Sequence, residues 1–126
     1  MNQVEEMYPL KNLTESEVLE LYDDAFDVWG LNAQVDMVVE ELAEAIVAVQ
    51  KYFKRDYSEQ RRVDLASEVA DVTIMLKQLQ FIIDNHISAP AYFSGKSFAT
   101  LVEEQIAYKH ARARMRVDRA LGEVSE

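Results

Sequence analysis

The sequence predicts an all-α protein: a four-helix type of bundle with two long antiparallel central helices, completed by oligomerisation. Three observations carry that expectation. Apolar residues recur at helical spacing over long stretches, and no run alternates polar and apolar with β-branched enrichment. Only three glycines and two prolines interrupt 126 residues, so the elements are long and the joins few. Helix-start signals stand at the points where the apolar pattern begins.

Residues 1–13 read as an irregular lead-in. Thr14-Glu15-Ser16-Glu17 is a capping box, in which Thr14 accepts from the Glu17 N–H and Glu17 reaches back. It opens a helix over 15–28, with Val18, Leu19, Leu21, Tyr22, Ala25 and Phe26 as its apolar side, and Trp29-Gly30 closes it. Asn32 is a candidate cap for a second helix over 33–54, whose stripe is Met37, Val38, Leu42, Ala45, Ile46, Val49 and Phe53. A short join at 54–57 leads to Ser58, which can cap a third helix over 59–85 with Leu65, Val69, Val72, Leu76, Leu79 and Ile83 inward. Pro90 and Gly95 mark a loop over 86–96, Ser97 caps a last helix over 98–120, and residues 121–126 are expected to fray.

The length fits one domain over 1–126, with 49% apolar and 29% charged residues. No stretch is long and apolar enough for a membrane span, and the start lacks the basic and apolar regions of a secretory signal. The absence of cysteine removes disulfides, zinc–thiolate sites and thiol catalysis, and fits a cytoplasmic protein. A net charge of −10 argues against binding nucleic-acid polymers or anionic membranes. The apolar excess on the second helix, with Ile82, Ile83, Tyr92 and Phe93, points to a homodimer or homotetramer.

The chemistry-bearing feature is a pair of carboxylate clusters, Glu40-Glu41-Leu42-Ala43-Glu44 and Glu68-Val69-Ala70-Asp71. Residues three or four apart share a helix face, so Glu41 joins Glu44 and Glu68 joins Asp71. In a hairpin the two clusters lie at nearly one level, with a mismatch of roughly 8 Å at ~1.5 Å per residue. Both sit at the edge of apolar stripes, where unpaired carboxylates are costly. A hard divalent cation, Mg2+ or Mn2+, is the simplest remedy for their mutual repulsion. The plainer alternative is that these glutamates are solvated helix formers.

The arrangement EExxE followed by ExxD on the next helix resembles the MazG-like all-α nucleoside triphosphate pyrophosphohydrolases. That superfamily also holds dimeric dUTPases and phosphoribosyl-ATP pyrophosphatase. Gln34 and Met37, in QxxMxxEExxE, are similar to the MazG-like version in particular, and the resemblance covers about residues 29–116. It implies a helical bundle assembled as a dimer or tetramer, and Mg2+-dependent hydrolysis of NTPs or dNTPs to the monophosphate and pyrophosphate in nucleotide-pool house-cleaning. It implies that Glu41, Glu44, Glu68 and Asp71 are the metal ligands and that Glu40, with Glu41, serves catalysis. Bound cations would invert the acidic field toward phosphates and activate water, while Glu40 could accept the proton.

Cationic candidates for phosphate contacts are Lys51 and Lys54, which end the second helix, and Lys109 and Arg112 on the last. Five of the thirteen Lys and Arg residues fall between Lys109 and Arg119, and a solvated basic helix is the alternative there. Trp29 and Gln34 are candidates for stacking on and reading a base; Trp29 is as much a candidate core or interface anchor. Asn85 can contact sugar or base, or cap its helix. His86 and His110 lie in no ExxH pattern, which argues against a ferritin-like di-iron site. Two other functions fit the same residues: a dUTP- or dCTP-specific pyrophosphatase, and a non-catalytic helical oligomer that binds nucleotides or partner proteins.

Overall fold

The computed structural model describes residues 12–89 and 94–125, with side chains up to Glu123. Three helices make up these residues: α1 (Glu15–Lys54), α2 (Glu59–His86) and α3 (Phe98–Ser125), and no strand occurs among the described residues. The expectations on residues 1–11, and those on Pro90, Tyr92 and Phe93, lie outside the described residues. No helix among the described residues is long and apolar enough to cross a membrane.

The chain divides into two units, Met1–Ile82 and Ile83–Glu126. In the first, the capping box forms as its sequence requires: Glu17 N–H donates to Thr14 Oγ1 and Thr14 N–H to Glu17 Oε1, both at 3.2 Å. The break expected near Trp29-Gly30 is confined to one residue. Gly30 adopts φ 81, ψ 171, a conformation close to glycine-only, and α1 continues on either side as two arms. So the four expected helices appear as three, the first of them kinked.

Arg55 closes α1 by donating its backbone N–H to the Lys51 carbonyl. Ser58 starts α2, accepting from the Arg61 N–H at 3.3 Å. Tyr22 of α1 meets Phe81 of α2 edge-on, with ring centroids 6.1 Å apart. Tyr52, Phe53 and Tyr57 form a second aromatic group around the α1–α2 turn.

The inward stripe matches the expected one at Val18, Tyr22, Ala25, Phe26, Val38, Ala45, Leu65, Val72 and Leu79 and departs from it at other positions. Tyr22, Ala25, Gln34 and Val38 are buried on α1, and Glu41, Ala45, Ala48 and Tyr52 are half-buried in line with them. On α2 the stripe runs through Leu65, Glu68, Asp71, Val72, Met75, Gln78 and Ile82. The more apolar residues Leu42, Ile46, Val49, Phe53, Val69 and Leu76 are exposed. Helical periodicity allows either face, and the face that looks at the partner helix is the one bearing the acids. Ile82, expected to face another copy, is 2% exposed and belongs to the chain's own core.

In the second unit, Ser97 caps α3, accepting from the Thr100 N–H at 3.1 Å. Asp84 adds a second cap, accepting from the N–H groups of Phe98 (2.6 Å) and Ala99 (3.2 Å). A Lys96–Glu104 ion pair at 2.8 Å joins the segment before α3 to its second turn. Helix α3 runs through Gly122 to Ser125, past the expected end at 120 and into the stretch expected to fray.

Candidate functional site

The predicted carboxylates converge within the first unit. One oxygen each from Glu41, Glu44 and Glu68 lies within 4.8 Å of the others. Glu41 and Glu68 are half-buried and Glu44 is exposed. Glu41 Oε2 and Glu68 Oε2 are shielded from solvent and have no hydrogen-bond partner. A carboxylate oxygen in that state has lost water and gained nothing, so the geometry favours anything that brings positive charge or a proton.

The proton affinities report the same strain. Burial, then the charges of Glu44, Asp71, Glu68 and Glu40, push the Glu41 carboxyl above the ordinary glutamate value. Burial, then Glu44 and Asp71, then a hydrogen bond with Glu44 and the charge of Asp64, raise Glu68 likewise. Two carboxyl groups can share a hydrogen bond only with a proton between them. Asp71 is half-buried and close enough to act on both, but stands outside the tight group of three. Glu40 is exposed beside them.

These are hard, anionic oxygen donors, the set that suits Mg2+ or Mn2+. Around an octahedral ion with bonds of about 2.1 Å, adjacent oxygens stand about 3.0 Å apart and opposite ones about 4.2 Å, so the three carboxylates would draw together, by up to roughly 1.8 Å for a pair, to meet one ion. Glu41, Glu44 and Glu68 could therefore hold a divalent cation, with Asp71 as the adjacent fourth carboxylate.

Next to the cluster a groove of about 370 Å³ runs between α1 and α2. Glu44 and Glu68 line it, as do Lys51, Arg61, Asp64 and Ser67. Of the cations expected to contact phosphate, Lys51 therefore lies at the groove, whereas Lys54 is exposed in the last turn of α1. Lys109 and Arg112 belong to the second unit, where the Arg112 guanidinium lies 5.6 Å from the Tyr108 ring centroid.

Arg61, Asp64 and Ser67 went unnoticed in the sequence. The available signal was Asp56-x-Ser58 ahead of Arg61: Arg61 Nε donates to Asp56 Oδ2 at 2.8 Å, an ion pair across the start of α2. Hydrogen bonds from Ser58 and Arg61 hold the Asp56 carboxyl at about 2.

The three base or sugar candidates separate. Trp29 is 61% exposed beside Gly30, Gln34 is 3% exposed on the inward stripe, and Asn85 is exposed in the last turn of α2, in the second unit. Trp29 is thus no anchor of this chain's own core. No protein-family model, curated protein or solved structure matches the chain.

Proposed function

We propose that this chain is a divalent-cation-dependent hydrolase of phosphoric anhydrides built on an α-helical hairpin. Its reaction, in this reading, is the conversion of nucleoside triphosphates, ribo- or deoxyribo-, to the monophosphate and pyrophosphate. The observation that carries it is the convergence of Glu41, Glu44 and Glu68 with two shielded, partnerless oxygens beside a groove that also holds Lys51 and Arg61. The resemblance of EExxE and ExxD to MazG-like enzymes selects the same residues.

Glu41, Glu44 and Glu68, with Asp71, would hold Mg2+ or Mn2+. When bound, the cation neutralises charge on the phosphates, polarises their oxygens and lowers the pKa of water. The chain's own residues supply the rest. Their fixed carboxylates set where the polyphosphate lies, and Glu40, exposed at the rim, accepts the proton of the attacking water. The water oxygen bonds to the α-phosphorus as the bond to the bridging oxygen breaks, and the electron pair leaves with pyrophosphate. Trp29, exposed beside the kink, remains the candidate for stacking on the base, whereas Gln34 is buried on the inward stripe and drops out as a reader of its edge.

Antiparallel packing of α1 against α2 is part of the reading. Tyr22 contacts Phe81, Glu44 contacts Glu68, and Lys51 shares the groove with Arg61, so partners descend α2 as α1 is climbed. A homo-oligomeric bundle is a further part, supported by the exposed row Val39, Leu42, Ile46, Val49 and Phe53 on α1.

A panel of NTPs and dNTPs with Mg2+ or Mn2+, with products identified, tests the proposal. Turnover to monophosphate and pyrophosphate, abolished by Glu41→Gln and Glu68→Gln, is expected. No turnover on any substrate would return the chain to the class of non-catalytic helical proteins.

A further inference from the structure

The groove has two chemically distinct ends. Glu44 and Glu68 belong to the acidic cluster, whereas Lys51 and Arg61 each stand seven residues away on their helices, about 10.5 Å along the axis. Val47 and Ala48 give the wall between them an apolar surface. A volume of about 370 Å³ lies near the lower end of ordinary small-molecule sites.

Arg62, Lys96 and Arg114 are also held in ion pairs, but Arg61 is the held arginine that lines the groove. Its Nε–H is taken by Asp56, and Asp56 in turn accepts from the Ser58 backbone N–H at 3.1 Å. That ion pair leaves the η nitrogens of a planar guanidinium with donor capacity, the arrangement that binds phosphate in two-pronged fashion. Asp64, which accepts from Gln60 at 2.8 Å, together with Glu44 and Glu68 makes the groove too acidic for a bare anion. Any phosphate entering it must come with a divalent cation.

We propose that the groove seats the terminal phosphates of the substrate, and that Arg61, oriented by Asp56, is the specificity-determining residue that makes the protein favour triphosphates over diphosphates. This rests on the hydrolase reading and deepens it, by fixing the direction of the polyphosphate: reacting phosphate at the acidic cluster, leaving pyrophosphate toward Lys51 and Arg61. A diphosphate with its reacting phosphate at the cluster has one phosphate fewer to present to the fork. Arg61 is a binding residue, and Asp56 is a positioning residue that acts through it.

Two measurements test this on the full chain. The first compares kcat/KM for an NTP and the matching NDP in the wild type, Arg61→Ala, Arg61→Lys and Asp56→Asn. Arg61→Ala is expected to lower the triphosphate-to-diphosphate ratio by about 10- to 100-fold, the scale of one charge-assisted bidentate contact. Arg61→Lys, which keeps charge but not the fork, should recover part of it. Asp56→Asn should raise KM for the NTP with kcat and the NDP kinetics unchanged, a split that a general loss of stability would not produce. The second measurement is the melting-temperature shift caused by inorganic triphosphate with and without Mg2+. A shift that needs Mg2+ and disappears in Arg61→Ala supports the seat.

An unchanged ratio and an unchanged triphosphate shift in a folded Arg61→Ala protein would overturn the inference while leaving the hydrolase reading intact. Absence of turnover in the wild type would remove the hydrolase reading instead. The triphosphate shift then decides alone whether the groove is a phosphate seat, and a wild type that shows none would overturn it.

Discussion

Replacing Glu41 by glutamine should abolish the protein's stabilisation by divalent cations, so that adding a cation reverses which of the two proteins melts higher. Without cations, Glu41 places a shielded, partnerless oxygen among Glu40, Glu44, Glu68 and Asp71. Glutamine keeps the volume, removes a charge from that crowd and offers two N–H donors to its neighbours, so the cation-free variant should melt above the wild type. With cation the order should reverse. A ligand at ten times its Kd stabilises the folded chain by about 1.4 kcal/mol. For 126 residues at about 2.1 cal/mol/K each, the unfolding entropy is about 265 cal/mol/K, so that linkage raises Tm by about 5 °C. The wild type should gain this shift on titration with Mg2+ or Mn2+, and Glu41→Gln should gain almost none. Differential scanning fluorimetry at fixed protomer concentration, with isothermal titration for Kd, reads both effects. A wild type whose melting is indifferent to millimolar Mg2+ and Mn2+, or a variant that shifts equally, would refute the idea that this cluster is a cation site.

The pH dependence follows from the raised carboxyls. Glu41 and Glu68 bind protons more tightly folded than unfolded, so their contribution to stability is full below about 4.5 and is lost as pH rises through their raised values. Asp56 has the opposite sign, lost only as pH falls from 3.8 through about 2, and is constant over pH 4.5–7. The difference in Tm between wild type and the Glu41→Gln/Glu68→Gln variant, without cations, should therefore change in the wild type's favour from pH 7 to 4.5; a flat difference would count against the buried cluster. Gly30→Ala should cost about 1–3 kcal/mol, or about 4–11 °C, through backbone strain alone, because no atom lies within 4 Å of an added Cβ. A melting temperature equal to wild type would show that the kink is not as described. Ile46→Asp, at a site 64% exposed, should shift an oligomer toward smaller species in size-exclusion chromatography with light scattering. A wild type that is already monomeric at high concentration would discard the oligomer.

Much of the helical layout was legible because it rests on local chemistry. The box at Thr14 and Glu17, the caps at Ser58 and Ser97, and the break at Gly30 each involve residues within a turn of one another. The four acids were legible for the same reason: three- and four-residue spacing fixes a common face on each helix whatever the helix packs against. Asp84 as the second cap of α3 was not, since it reaches residues fourteen and fifteen positions on. Nor was Arg61, whose pairing with Asp56 depends on how the chain turns between α1 and α2.

The sequence by itself determined that the chain is helical, where the helices at Glu15, Glu59 and Phe98 start, that the first breaks at Gly30, and which carboxylates share a face; Asn32, expected to cap a separate helix, lies inside α1 instead. Only the tertiary structure decided that the face turned inward carries Val38, Glu41, Ala45 and Ala48 rather than the more apolar Leu42, Ile46, Val49 and Phe53. A helix with two usable faces specifies both equally in its periodicity. Contact with the second helix selects between them, and here that contact draws Glu41 and Glu68 out of water and toward each other.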